Sequence, residues 1–129
     1  MVLPKGMRLK GYKCFNYIHK YSKRYKGNLM ILKLVKAHKH INQGKNKSLD
    51  STYSCRCAIS ISNKVSKRAV VRNRLRRLLH EHLRKTLFHQ PSFFNYWVLI
   101  SLNTNCLNRD IKDLLDECDN LFFQAELYP

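Results

Sequence analysis

Apolar residues recur along this chain at two spacings, and those spacings divide it into elements. Over 12–21, Cys14, Phe15, Ile18 and Tyr21 fall three or four residues apart, which predicts one face of a short helix. Beyond the Gly27-Asn28 break, residues 29–35 predict a strand, because the apolar run is short and flanked by glycine. The polar stretch 37–52, with Gly44 among Asn, Lys and Ser, predicts a flexible loop. Residues 55–62 predict a second strand in which Cys55, Cys57, Ile59 and Ile61 share the buried face. The longest helix is expected over 67–87, with Val71, Leu75, Leu78, Leu79 and His82 on its inward arc. Gln90-Pro91-Ser92 ends that unit, 96–101 predicts a third strand, and Asn103-Thr104-Asn105 a turn. A closing helix is expected over 110–126, with Ile111, Leu114, Leu115, Cys118 and Phe122 inward and Asp110 and Asp113 at the positive end of its dipole.

The order is helix, strand, strand, helix, strand, helix, which predicts an α+β fold: a small single-domain sandwich. A further short strand near Arg24-Tyr25, or in the 37–52 loop, brings the mixed sheet to about four strands. One domain is expected to span 1–129, with 1–10 as a lead-in.

Charge narrows the class. The 129 residues hold 25 Lys+Arg against eight Asp+Glu, a net charge of +17. Self-repulsion of that size calls for a polyanion, nucleic acid first and an acidic membrane second. The first 56 residues carry 14 cations against Asp50 alone, and residues 57–90 carry nine against Glu81. Residues 91–129 hold only Arg109 and Lys112 against six acids, so the last third is expected to face away from the polyanion. No run approaches the roughly 20 apolar residues that span a bilayer, and no signal-peptide pattern follows the basic N-terminus. A cytoplasmic protein with no membrane association is expected. The five cysteines show no paired spacing and are expected to be free thiols.

Residues 60–85 concentrate the chemistry. A strand runs through a basic turn into a helix whose opening turns hold Arg68, Arg72, Asn73, Arg74, Arg76 and Arg77. Arg68, Arg72 and Arg76 stand at i, i+4 spacing, where like charges repel. Guanidinium groups make forked bonds to phosphate and stack on bases, and Asn73 has the groups to bond a base edge or a 2′-hydroxyl. The plain alternative is a solvated basic face; the density of arginine and the net charge weigh against it.

Val70-Val71-Arg72-Asn73-Arg74-Leu75-Arg76-Arg77, preceded by Ser60-Ile61-Ser62-Asn63-Lys64-Val65, resembles the signature of the bacterial ribonuclease P protein family. The resemblance extends over roughly 8–124 in element order, and 60–80 is its distinctive part. It implies a β-α-β crossover of left-handed sense, against the usual rule. It further implies that the chain binds a catalytic RNA and assists removal of the 5′ leader from precursor tRNA. Catalysis would need Mg2+, held mainly by the RNA, with no catalytic residue in the protein and no protein partner. Lys64, Arg68, Arg72 and Asn73, with Arg74, Arg76 and Arg77, would contact the catalytic RNA, joined by Lys67 of the basic turn. Phe15, His19 and Lys33 would line a leader-binding cleft, with His19 and Lys33 at positions where relatives often place aromatics. Two departures stand out: Ser66 replaces the usual glycine, and Leu102-Asn103 replaces a basic pair after the last strand. A non-catalytic ribosomal or other structural RNA-binding protein is the alternative. A basic peripheral membrane binder is a weaker third, because the basic helix needs its apolar face for the core.

Other groupings carry less. Cys55-x-Cys57 with His38, His40, His80, His82 and His89 lacks the two paired ligand sets of structural zinc, and no metal site is expected. His80 and His82 flank Glu81 but project to opposite sides of a helix, His82 inward and His80 outward, so no acid-base pair is expected. Phe15, Tyr17, Tyr21 and Tyr25 among Lys20, Lys23, Arg24 and Lys26 fit either base stacking or the rim of a helix packed on the sheet.

Overall fold

A computed structural model describes residues 12–36, 56–87 and 96–125 of the chain. Three helices and four strands make up the fold: α1 (Tyr12–Tyr21), β1 (Lys23–Lys26), β2 (Met30–Lys36), β3 (Arg56–Ser60), α2 (Ala69–Leu87), β4 (Tyr96–Leu102) and α3 (Ile111–Gln124). The lead-in 1–10, the 37–52 loop, Cys55 and the Gln90-Pro91-Ser92 stop lie outside the described residues, as do His38, His40 and His89.

The strands form one mixed sheet in the order β1-β2-β4-β3. β1 pairs antiparallel with β2, and β2 with β4, whereas β3 runs parallel to β4 and is joined to it through α2. The fourth strand is therefore at Arg24-Tyr25, the first of the two places the sequence offered for it. The expected turn at Asn103-Thr104-Asn105 opens a short 3-10 helix, Thr104–Asn108, capped when the Asn103 side chain accepts from the Asn105 amide.

Alternation along β4 explains the layering. Trp97 and Leu99 pack with Cys14 and Ile18 of α1 on one face. Val98, Ile100 and Leu102 face the other way, into a larger core with Leu75, Leu79 and Leu83 of α2 and Leu114, Cys118, Leu121 and Phe122 of α3. Helices thus cover both faces of the sheet, α1 on one and α2 with α3 on the other.

The buried arc of α2 is turned relative to the sequence expectation. Leu75, Leu79 and Leu83 are the buried leucines described, whereas Val71 and Leu78 are only half-buried. His80, expected outward, is buried, and His82, expected in the core, is half-buried at the flank. There His82 Nε2 lies 2.8 Å from Asp119 Oδ1 of α3. α2 packs on the sheet and meets α3 beside it, so its inward arc is set by two neighbours at once, which a one-sided count of apolar residues does not register.

One acid ties α3 to the sheet. Glu117 accepts from the backbone amides of Asn28 (3.0 Å), Leu29 (2.7 Å) and Met30 (3.0 Å), at the β1–β2 connection. A Cβ on Gly27 would stand 2.6 Å from Glu117 Oε2, so the carboxylate's close approach requires glycine there. From the other side Asn103 Nδ2 donates to the Asn28 carbonyl at 2.8 Å, and the Asn103 amide to the Leu29 carbonyl at 2.9 Å.

Removing that carboxylate strands part-buried amides, each costing about 1–3 kcal/mol. E117A is expected to lower unfolding stability by about 2–3 kcal/mol in urea titration, with E117Q recovering part of the loss. G27A is expected to destabilise the natural chain but much less the E117A chain. Additive effects in that double-mutant cycle would show that the two residues do not share the contact.

Candidate nucleic-acid interface

The basic turn is built before the basic helix begins. Val65, 1% exposed, plugs into the core between β3 and α2 and anchors the turn. The Ser62 carbonyl accepts from the Val65 amide at 3.1 Å, and the Ser62 hydroxyl from the Lys64 amide at 3.2 Å. Ser66, where the resemblance led to glycine, organises the next step. Its hydroxyl accepts from the Arg68 amide at 3.2 Å and its carbonyl from Arg72 Nη1 at 2.7 Å.

The arginines of α2 therefore divide. Arg72 is half-buried and tied back to Ser66, and Arg76, also half-buried, donates to Asn73 Oδ1 at 2.9 Å. Lys64, Lys67, Arg68, Asn73, Arg74 and Arg77 are exposed. The structure brings these groups together on the turn and the first turns of one helix. Their nearest acid on the helix is Glu81, which pairs at 3.8 Å with Lys85. A ridge of this kind has free guanidinium forks at its crest and two more held in place at its base, an arrangement suited to phosphate.

The second cationic surface is on the opposite face of the sheet. Phe15 and His19 stand one turn apart on α1, and Lys33 Nζ donates to His19 Nδ1 at 2.9 Å. An ammonium only donates, so Nδ1 accepts and the neutral ring carries its proton on Nε2. Local desolvation, then Lys33, then Arg24 hold the His19 imidazole below its usual range; desolvation and Arg24 lower Lys33. Arg24 is the register partner of Lys33 across β1 and β2, so two cations lie side by side with no acid between them in the pairing. The sequence singled out Arg24 only among the cations interleaved with the tyrosines; its place beside Lys33 was not legible because β1 carries almost no apolar pattern.

The aromatic residues of this region divide between packing and exposure. Phe15 and Tyr17 pack against the Trp97 cluster, and Tyr17 meets Trp97 edge-on with centroids 5.7 Å apart. Tyr25 packs half-buried against the larger core, whereas Tyr21 is 63% exposed. Leu102 and Asn103 belong to the structure rather than the surface: Leu102 is buried, and Asn103 holds the β1–β2 connection.

Among the described residues no three His, Cys, Asp or Glu side chains form a group able to hold a metal ion. Cys14, Cys57, Cys106 and Cys118 are buried thiols that form no disulfide. Burial foremost, then Asp119, Cys57 and Glu117, pushes the Cys118 thiol far up, which keeps it protonated and unreactive. No helix among the described residues is long and apolar enough to cross a membrane.

Because the folded-state value of His19 is lowered, the stabilisation of its neutral ring is present above the ordinary histidine range and fades as pH falls through that lowered value. K33A is expected to move the His19 titration upward, toward the ordinary histidine range, in an NMR titration of the ring. An unmoved midpoint would show that the two side chains do not face each other.

Comparison with known proteins agrees with this architecture. The Ribonuclease P family model matches residues 3–126. A Prochlorococcus marinus protein named ribonuclease P protein component is 58% identical over 97% of this chain and 98% of its own length. A second from another strain of that species is 48% identical over 98% of both chains. Among solved structures, the Staphylococcus aureus RNase P protein superposes with a TM-score of 0.72 at 16% identity, covering 95% of this chain and 98% of that one. The RNase P protein of Thermotoga maritima gives a TM-score of 0.68 at 19% identity, covering 88% and 93%. At such identities the structural likeness shows the fold, and the sequence matches carry the relationship. The chain belongs to the ribonuclease P protein family.

Proposed function

We propose that this chain is the protein subunit of ribonuclease P, with the α2 ridge gripping the catalytic RNA and the α1 face of the sheet receiving the 5′ leader of precursor tRNA. The observation that carries the reading is the pair of cationic surfaces on opposite faces of one sheet, Lys64 to Arg77 on one and Arg24 with Lys33 on the other. A single rigid platform then holds the enzyme RNA and the substrate at once, which converts their encounter into a positioned one.

At the ridge, Arg68, Arg74 and Arg77 meet phosphates while Arg72 and Arg76 hold the turn and Asn73 in place. At the α1 face, Phe15 offers a partly open ring for a base, and Lys33, His19 and Arg24 track the backbone of a single strand. An arriving phosphate favours the protonated imidazole, so leader binding takes up a proton at His19. Mg2+ held by the RNA would supply the chemistry of hydrolysis, while the protein binds and orients. The cytoplasm is the compartment we assign, in keeping with the buried cysteine thiols among the described residues, none of which forms a disulfide.

Adding the chain to a cognate catalytic RNA and precursor tRNA is expected to raise 5′-leader cleavage at low magnesium; no rise would overturn the reading. Replacing Arg74 and Arg77 together by Ala is expected to reduce the log-log salt slope of RNA binding by about two units. R72A is expected to lower thermal stability as well, since it releases the Ser66 carbonyl. F15A is expected to weaken binding of precursor relative to mature tRNA by about fivefold or more, and an equal loss for both would remove the leader from this face.

A further inference from the structure

Between the start of α2 and the start of α3 the surface opens into a cleft of about 470 Å³, within the roughly 300–1,000 Å³ typical of clefts that take small ligands. Its floor is aliphatic, made by Val70, Val71 and Leu75 of α2 and Ile111 of α3. Its rim is cationic, with Arg68 and Arg74 on the α2 side and Arg109 on the α3 side. Val70 is 70% exposed, a large aliphatic side chain left in water at the edge of an apolar hollow. Arg109 is one of two cations in the otherwise acidic residues 91–129, yet it lies across from the α2 arginines. Its contact with Asp113, 3.9 Å between exposed side chains, is of the kind that contributes little and leaves the guanidinium free to turn.

We propose that this cleft receives one unpaired nucleotide of the RNA bound by α2, its base on Val70 and Ile111 and its phosphate on Arg109. The inference rests on the reading of α2 as the RNA-binding helix and extends that interface onto α3. An aliphatic floor ringed by guanidinium groups matches an unstacked nucleotide, which joins a flat, weakly hydrated base to an anionic phosphate. A duplex offers only phosphates to such a hollow, and its bases stay stacked out of reach. Asp110 also lines the cleft, and its carboxylate makes no capping bond to α3. It repels a second phosphate while accepting from the amino group of a base, which sets the base inside and the phosphate at the rim. An acidic peptide would satisfy the arginines but would meet Asp110 and leave the floor without a flat partner.

The test uses the reconstituted complex of the chain with its catalytic RNA. V70E and R109A are expected to weaken RNA binding about tenfold each, the first by burying a carboxylate against the base, the second by loss of one charged contact. K112A removes the same charge from an exposed site outside the cleft and is expected to leave binding within twofold of the natural chain. Chemical probing of base edges in the RNA should show one unpaired base protected by the natural chain and by K112A, and exposed again with V70E. Melting of the variants by circular dichroism is expected to match the natural chain. If V70E and R109A bind like K112A, or no single base regains reactivity with V70E, the nucleotide cleft is overturned while ribonuclease P function stands. If the natural chain fails to bind the RNA or to stimulate cleavage, both readings fall.

Discussion

The burial of β4 on both faces is the constraint on which this fold depends. Trp97, Val98, Leu99 and Ile100 are each at most 2% exposed, so neither face of the central strand can be left to water. A strand apolar on both sides demands cover on both sides. α1 supplies one cover through Cys14 and Ile18, and α2 with α3 supplies the other. The separation of the two cationic surfaces follows directly, because one lies on α2 and the other on α1 and the strand face beneath it, with the sheet between them.

Charge is arranged within that frame rather than spread over it. The crowded arginines of α2 are tolerated because Arg72 and Arg76 spend hydrogen bonds on Ser66 and Asn73, fixing the base of the ridge while the outer guanidinium groups stay in solvent. Preorganised groups lose less freedom when a ligand arrives. On the other face Arg24 and Lys33 stand opposite each other across β1 and β2, like charges whose repulsion an anion would relieve.

The acids are as placed as the cations. Glu117 binds three consecutive backbone amides and, with Gly27 giving it room, locks α3 onto the β1–β2 connection. Asp119 does a related service for His82, joining α3 to α2. These two acids of the last third thus help to assemble the platform. Arg109, at the lip of the cleft shared with α2, departs from that pattern.

Periodicity and composition by themselves determined most of the elements, the α+β class, the polyanion as partner and the basic turn-plus-helix proposed to meet it, because those depend on local spacing and on charge summed over the chain. Strand β1 was legible only as a position the sheet needed, since Lys23-Arg24-Tyr25-Lys26 has almost no apolar alternation and forms by pairing with β2. Which side of α2 turns inward, the burial of His80 and the half-burial of His82 were decided by α3 lying beside that helix, a contact between residues 37 apart in the chain for His82 and Asp119. The roles of Glu117 and Arg109 were equally hidden, for a charged residue in an acidic segment looks solvated until the fold brings three amides or a second set of arginines to it. Local pattern reports what a residue prefers, whereas its partner is chosen by chain segments far away in sequence, and that choice exists only once the sheet has closed.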